Sequence, residues 1–281
     1  MPVVHLTDRA LIAVTGQDAE HFLQNLITTD LAALGAHEAR PSALLTPQGK
    51  ILFDFLISRA GDGFVIECSA EMADDLVKRL TIYKLRAKVE ISKQSEQVVA
   101  ISWGDESAAS PSDSSLRDTR FEEPVIRYHA AVPNATTDAS AWIALRAANG
   151  IAESGSDFDL SDVFPHDVLY DQNGGVGLKK GCFVGQEVVS RMQHRGTARR
   201  RVMIAHADVG LPDAGSDVTV NGRSIGKLGS SADGAAIAIM RIDKVKDALD
   251  AGDDIVAGGA RVMLTIPSWA RYTLPEAKSD A

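Results

Sequence analysis

The chain reads as an α+β protein that ends in a small all-β unit. Three observations carry this expectation. Short apolar strands arrive as hairpins, two helical patterns interrupt them without strict β-α-β alternation, and beyond Arg201 the texture becomes a succession of short strands.

Val3–Leu6 and Leu11–Val14 read as strands, followed by a helix over Asp18–Leu26 with Thr15 placed to cap it. Phe22, Leu23 and Leu26 share one helical face. Ser42–Leu45, the Pro47-Gln48-Gly49 turn and Ile51–Ser58 form a hairpin, with Ile51, Phe53, Phe55 and Ile57 making one strongly apolar strand face. Phe64–Cys68 is a further strand after the Gly61-Asp62-Gly63 turn. A helix over Ala70–Leu85 follows, patterned by Met72, Leu76, Leu80 and Tyr83. Ala108–Ser115 reads as a flexible loop or a subdomain junction, and Ser140–Ala148 as a helix stopped by Asn149-Gly150. A helix also opens at Gly185 and runs through His194. Val202–His206, Val218–Val220, Ser224–Leu228, Ala235–Met240 and Val262–Ile266 then make a barrel or sandwich, with Asn221-Gly222 as a type I′ hairpin turn. Residues 1–200 are expected to form the body, 201–270 the C-terminal β unit, and 271–281 a tail.

The composition is that of a globular chain: 281 residues, 45% hydrophobic and 24% charged. No apolar run approaches the roughly 18 residues that span a bilayer, so no membrane partner is expected. Two cysteines, Cys68 and Cys182, point to a reducing compartment, and the absence of a signal-peptide pattern makes cytoplasmic placement the expectation. The net charge of −9 disfavours a general nucleic-acid binder. Yet Lys179, Lys180, Arg191, Arg195, Arg199, Arg200 and Arg201 crowd one stretch whose only acid is Glu187. That local excess suits an anionic ligand or an acidic partner surface.

Within that stretch lies Lys180-Gly181-Cys182-Phe183-Val184-Gly185-Gln186-Glu187. Neighbouring lysines and a helix start both favour thiolate at Cys182, the form that attacks electrophiles and binds metals. Cys182 and Lys180 are therefore the expected chemical pair. Cys182 could act as a redox thiol, as a nucleophile, or as one ligand of an iron–sulfur cluster. A cluster normally takes about four thiolates, so this chain holds no metal alone and a partner would complete the ligand set.

Those eight residues resemble the signature of the YgfZ family, Lys-Gly-Cys-aromatic-x-Gly-Gln-Glu, with one position free. Phe22–Asp30 and Tyr83–Val89 resemble two further family segments, which extends the likeness from near Leu11 to about residue 265. The family is related to the aminomethyltransferase of the glycine cleavage system. The resemblance implies a folate-binding body of two α+β subdomains closed by a C-terminal β-barrel. It also implies tetrahydrofolate as ligand and a role in maturing or repairing iron–sulfur proteins, tRNA-modifying enzymes included, with iron–sulfur carriers or clients as partners.

By the same resemblance Asp167 is the expected pterin contact, although relatives carry the longer glutamate there. Gln186, Glu187 and Arg191 are the other candidate folate contacts. The alternatives are a folate-dependent aminomethyl or one-carbon transferase, for which Asp74 and Asp75 lie nearest the required acid, and an RNA-binding module built on Arg199-Arg200-Arg201.

Overall fold

The computed structural model describes residues 1–94, 98–104, 115–129 and 135–275. The expected loop at 108–115 therefore lies outside the described residues except for Ser115, which opens a strand, and so does the tail beyond 275. Contacts group the chain into two compact units. One comprises Met1–Ala139 with Asn173–Val188, and the other Ser140–Gln172 with Val189–Ala281. This division differs from a cut at residue 200, because the helix and turns over 140–172 cluster with the C-terminal residues.

The first unit is built on strands β1 (Val3–Leu6), β2 (Arg9–Thr15), β3 (Glu38–Leu45), β4 (Ile51–Ala60), β5 (Gly63–Ser69), β6 (Glu90–Gln94), β7 (Val99–Trp103), β8 (Ser115–Asp118) and β9 (Val125–Tyr128). They form one nine-stranded sheet in the order β1-β7-β9-β8-β3-β4-β5-β2-β6. β3 pairs with β8 in parallel, and the other neighbours are antiparallel. Helices α1 (Ala19–Gln24) and α2 (Ala73–Lys84) pack Phe22, Leu23, Leu76 and Leu80 into one cluster with Phe53, Phe55 and Ile57 of β4.

β4 departs from its expected one-sided pattern. Leu56, on its other face, is buried against Ala39 and Leu116, and Asp54 and Ser58 are buried as well. Both faces of β4 are therefore packed, one against the cluster of α1 and α2 and the other in the cluster of Leu56 with Ala39 of β3 and Leu116 of β8. The expected cap is also corrected. Thr15 ends β2 opposite Glu90, α1 has no side-chain cap, and the carboxylate of Asp18 accepts the Lys88 N–H at 2.8 Å instead.

A buried ionic chain crosses this sheet, and no sequence pattern announces it. The Arg127 guanidinium on β9, fully buried, pairs with Glu67 of β5 and donates to Asp118 of β8 at 2.8 Å. Arg120 donates to Asp118 at 2.8 Å, while Arg9 and His129 each reach Glu67 at 3.2 Å. Burial disfavours both carboxylate charges, but the surrounding arginines overcome it and hold Glu67 and Asp118 below the usual carboxylate range.

In the second unit α3 (Ala139–Asn149) ends at Gly150, in the left-handed region, as expected. Then come α4 (Gln186–Arg195), which joins this unit from Val189 onward, β10 (Arg200–His206), β11 (Asp217–Val220), β12 (Arg223–Ala232), β13 (Ala235–Arg241), α5 (Ile242–Ala251), β14 (Ile255–Ala257), β15 (Ala260–Arg261) and β16 (Met263–Thr265). The strands form a seven-stranded sheet in the order β15-β14-β11-β12-β13-β10-β16. Asn221 and Gly222 have φ of +49° and +74°, the backbone of the expected type I′ turn. α5 had not been expected, although Ile242, Val245 and Ala248 recur at threes and Gly252 stops it. Asp157 braces this unit. It accepts from Arg146 at 2.6 Å and from the Ser230 N–H at 2.7 Å, where a bulge in β12 admits it beside Gly229.

Candidate functional site

The cysteine motif belongs to the first unit, and short backbone links fix it there. After α1 the chain turns through Ile27, Thr28 and Thr29, all buried. The Thr28 hydroxyl donates to the Gly175 carbonyl at 2.6 Å, and the Gly177 N–H donates to the Thr28 carbonyl at 2.8 Å. Lys180 completes the attachment. Its side chain runs inward, 8% exposed, and its ammonium donates to the carbonyls of Ile27 at 2.7 Å and Thr29 at 2.8 Å. Burial pushes its pKa down to about 8, opposed by the Asp30 carboxylate. Lys180 also lies 5.2 Å from the centre of the Phe183 ring, itself buried.

A second attachment follows at Gly185, where φ is +78°. A Cβ there would sit 2.7 Å from the Thr46 carbonyl oxygen and 3.0 Å from the Gly49 Cα, so only glycine permits this approach to the β3–β4 turn. Gly49 is constrained in return, since its own Cβ would lie 2.8 Å from that of Val188. Between these fixed points Gly181 and Cys182 are exposed. The segment is thus a tip held at both ends, with the thiol at its outer point.

The expected chemical pair is consequently divided. Cys182 is accessible, whereas the ammonium of Lys180 is engaged with backbone carbonyls and works as a tether. Cys68 is fully buried, and burial raises its thiol to about 12. Among the described residues no three His, Cys, Asp or Glu side chains gather as a metal site. One accessible thiol is what this chain can offer a cluster.

Asp167 lies in the second unit and is 2% exposed. Its Oδ2 accepts the Phe164 N–H at 3.0 Å and Arg200 Nη2 at 2.9 Å, and burial raises its pKa against the pull of Arg200. Engaged in this way, it does not fit a direct pterin contact. It braces the turn before β10. Next to it His166 is buried, its pKa lowered by burial, and it is joined through Nε2 to Gln193 of α4 at 3.1 Å. Of the remaining candidates, Gln186 is half-buried at the start of α4, while Glu187 and Arg191 are exposed one turn apart on it. Asp74 and Asp75 form surface ion pairs with Lys93 and Lys78, both at 2.9 Å, and do not present a buried acid.

Comparison with known proteins adds to this geometry. The aminomethyltransferase T of the glycine cleavage system from Bartonella henselae superposes with a TM-score of 0.74 over 95% of this chain and 84% of that one, at 19% identity. Residues 199–272 match the family described as CAF17, C-terminal beta-barrel domain. The fold is aminomethyltransferase-like with a C-terminal β-barrel. An iron–sulfur cluster assembly factor IBA57 homolog, mitochondrial, from Chaetomium globosum is 31% identical over 78% of this chain and 60% of its own length. The Pyricularia oryzae homolog is 28% identical over 96% of this chain and 85% of its own, and the mouse factor 27% over 94% and 84%.

Homologues of this chain are iron–sulfur cluster assembly factors. The iron–sulfur assembly expectation stands at this coarser level, and one expectation is corrected. The names carried by these relatives are IBA57 names, not the YgfZ name that the motif resembles. They are also mitochondrial names, which overturns the cytoplasmic expectation. A low cysteine count reports reducing conditions and does not distinguish one reducing compartment from another. The chain spans 60% of the Chaetomium protein, so what that whole protein does is not thereby assigned to it.

Proposed function

We propose that this protein serves the assembly or repair of iron–sulfur proteins, with Cys182 lending one thiolate to a cluster that a carrier or client protein otherwise holds. The observation that carries the reading is the exposed thiol at the tip of a segment tethered at Lys180 and Gly185, in a chain whose other thiol is sealed. On ligation the thiol gives up its proton and its sulfur binds iron. A fixed tip suits a shared ligand, because the sulfur meets the partner without first ordering its own loop. The names of the relatives support the same process. tRNA-modifying enzymes belong to the reading as clients.

Tetrahydrofolate belongs to it as a bound molecule. The amide of Gln186, the carboxylate of Glu187 and the guanidinium of Arg191, successive along α4, are the side chains that would hold it. The ligand would supply a one-carbon carrier, and these residues would only bind and orient it.

An anaerobic titration of a cluster-loaded carrier with the full chain tests the reading. Wild-type protein is expected to alter the visible circular dichroism of the cluster, and Cys182→Ala to leave it unaltered while melting normally. Equal spectra with both proteins would remove Cys182 from the cluster. Folate is tested separately, since an unchanged melting temperature in millimolar tetrahydrofolate would remove the ligand and leave the thiol's role standing.

A further inference from the structure

We propose that the C-terminal end of α2 is a docking face for an acidic protein surface. The proposal rests on this face alone, independently of the role given to Cys182.

Leu85 is the first observation. It follows α2 with φ of 45° and ψ of −106°, and the Ala87 N–H donates to the Lys84 carbonyl at 2.8 Å. Leu85 therefore holds the first central position of a type II′-like turn, where positive φ favours glycine. A leucine there is strained, and at 89% exposure its side chain gains almost no packing from its own fold. Ile82, three residues earlier, is 66% exposed. Two large aliphatic side chains three residues apart thus stand in solvent, one of them against the preference of its backbone.

The second observation is charge. Arg79 stands one helical turn before Ile82, and Lys84 and Arg86 flank Leu85 in the chain; none of the three has an ion-pair partner among the described residues. Their neighbours differ, since Lys78 and Lys93 are neutralised by Asp75 and Asp74. Unpaired cations flanking an apolar knob, on a chain of net charge −9, complement carboxylates around an apolar pocket. Protein is favoured over lipid for two reasons. Guanidinium groups take carboxylates through paired donors. A leucine held on a tight turn also suits a shaped pocket, whereas two aliphatic side chains bury little in a bilayer.

The test places the photocrosslinker p-benzoylphenylalanine at position 82 of the full chain in its native cell. The expected result is a discrete adduct with a protein of net negative charge. Its yield should fall at least fivefold when Arg79→Glu and Arg86→Glu are added, and likewise with Leu85→Gly, which should melt at the wild-type temperature or above. The absence of any discrete adduct would overturn the proposal, as would an adduct insensitive to charge reversal. Adducts confined to lipid, together with salt-sensitive co-sedimentation on phosphatidylglycerol vesicles, would overturn it in favour of a membrane surface.

Discussion

The ammonium of Lys180 lies 2.7 Å from the carbonyl oxygen of Ile27, a residue 153 positions earlier in the chain. The lysine two residues before the exposed thiol is thus an internal anchor, and what it contributes to Cys182 is position.

Removing that anchor should be costly. Lys180→Met leaves the carbonyls of Ile27 and Thr29 buried without their donor, a loss of roughly 2–4 kcal/mol. Urea denaturation measures it, and a loss below about 1 kcal/mol would make the tether incidental.

The same lysine predicts a pH dependence. Its pKa is lowered from 10.5 to about 8 by burial, so between those values the unfolded chain holds more protons than the folded one. Folding stability from this group therefore rises as pH increases through the window. The advantage of wild type over Lys180→Met should grow between pH 8 and 10 by on the order of 1 kcal/mol. A constant difference would show that the ammonium is not disfavoured where it sits.

The two thiols should separate cleanly. With the chain folded, a maleimide should label Cys182 and spare Cys68, and both should react in denaturant. Mass spectrometry of the labelled peptides decides it. Comparable labelling of Cys68 in the folded protein would contradict its burial.

Glu67 predicts acid sensitivity. Burial opposes its charge, but Arg127, His129 and Arg9 hold its pKa far below the ordinary 4.5. A depressed carboxylate contributes its stabilisation above the unfolded pKa and loses it as pH falls toward the folded value. Glu67→Gln, which unpairs buried arginine, should cost about 3–5 kcal/mol at neutral pH. Its deficit relative to wild type should shrink below about pH 4.5. Circular dichroism during acid titration checks both statements.

Leu85→Gly should leave stability unchanged or raise it by up to about 1 kcal/mol. Relief of a strained turn is offset by the greater freedom of glycine in the unfolded chain. A clear loss would mean that Leu85 supports the fold and would weaken its reading as a docking residue.

The hairpins around Pro47-Gln48-Gly49 and Asn221-Gly222, the α2 helix and the late run of strands were legible because each depends on local periodicity or on a residue that tolerates positive φ. The motif around Cys182 was legible for a similar reason, since its glycines, its aromatic and its thiol are adjacent in sequence. α5 is equally local, and the signal lies in its seam of Ile242, Val245 and Ala248, set among short strands that mask it.

What the residues determined alone was the type of most elements, the strand-rich ending and the contrast between a thiol in an apolar strand and one in a glycine-flanked turn. Tertiary structure decided the rest. It turned Lys180 inward onto carbonyls far back in the chain, gave Asp167 to Arg200, and gathered Glu67, Arg127 and Asp118 into one buried chain of charge. The reason is physical. Backbone periodicity is written in neighbouring residues, whereas the partner of a buried charge is whichever group the completed fold brings within about 3 Å, and sequence distance places no limit on that.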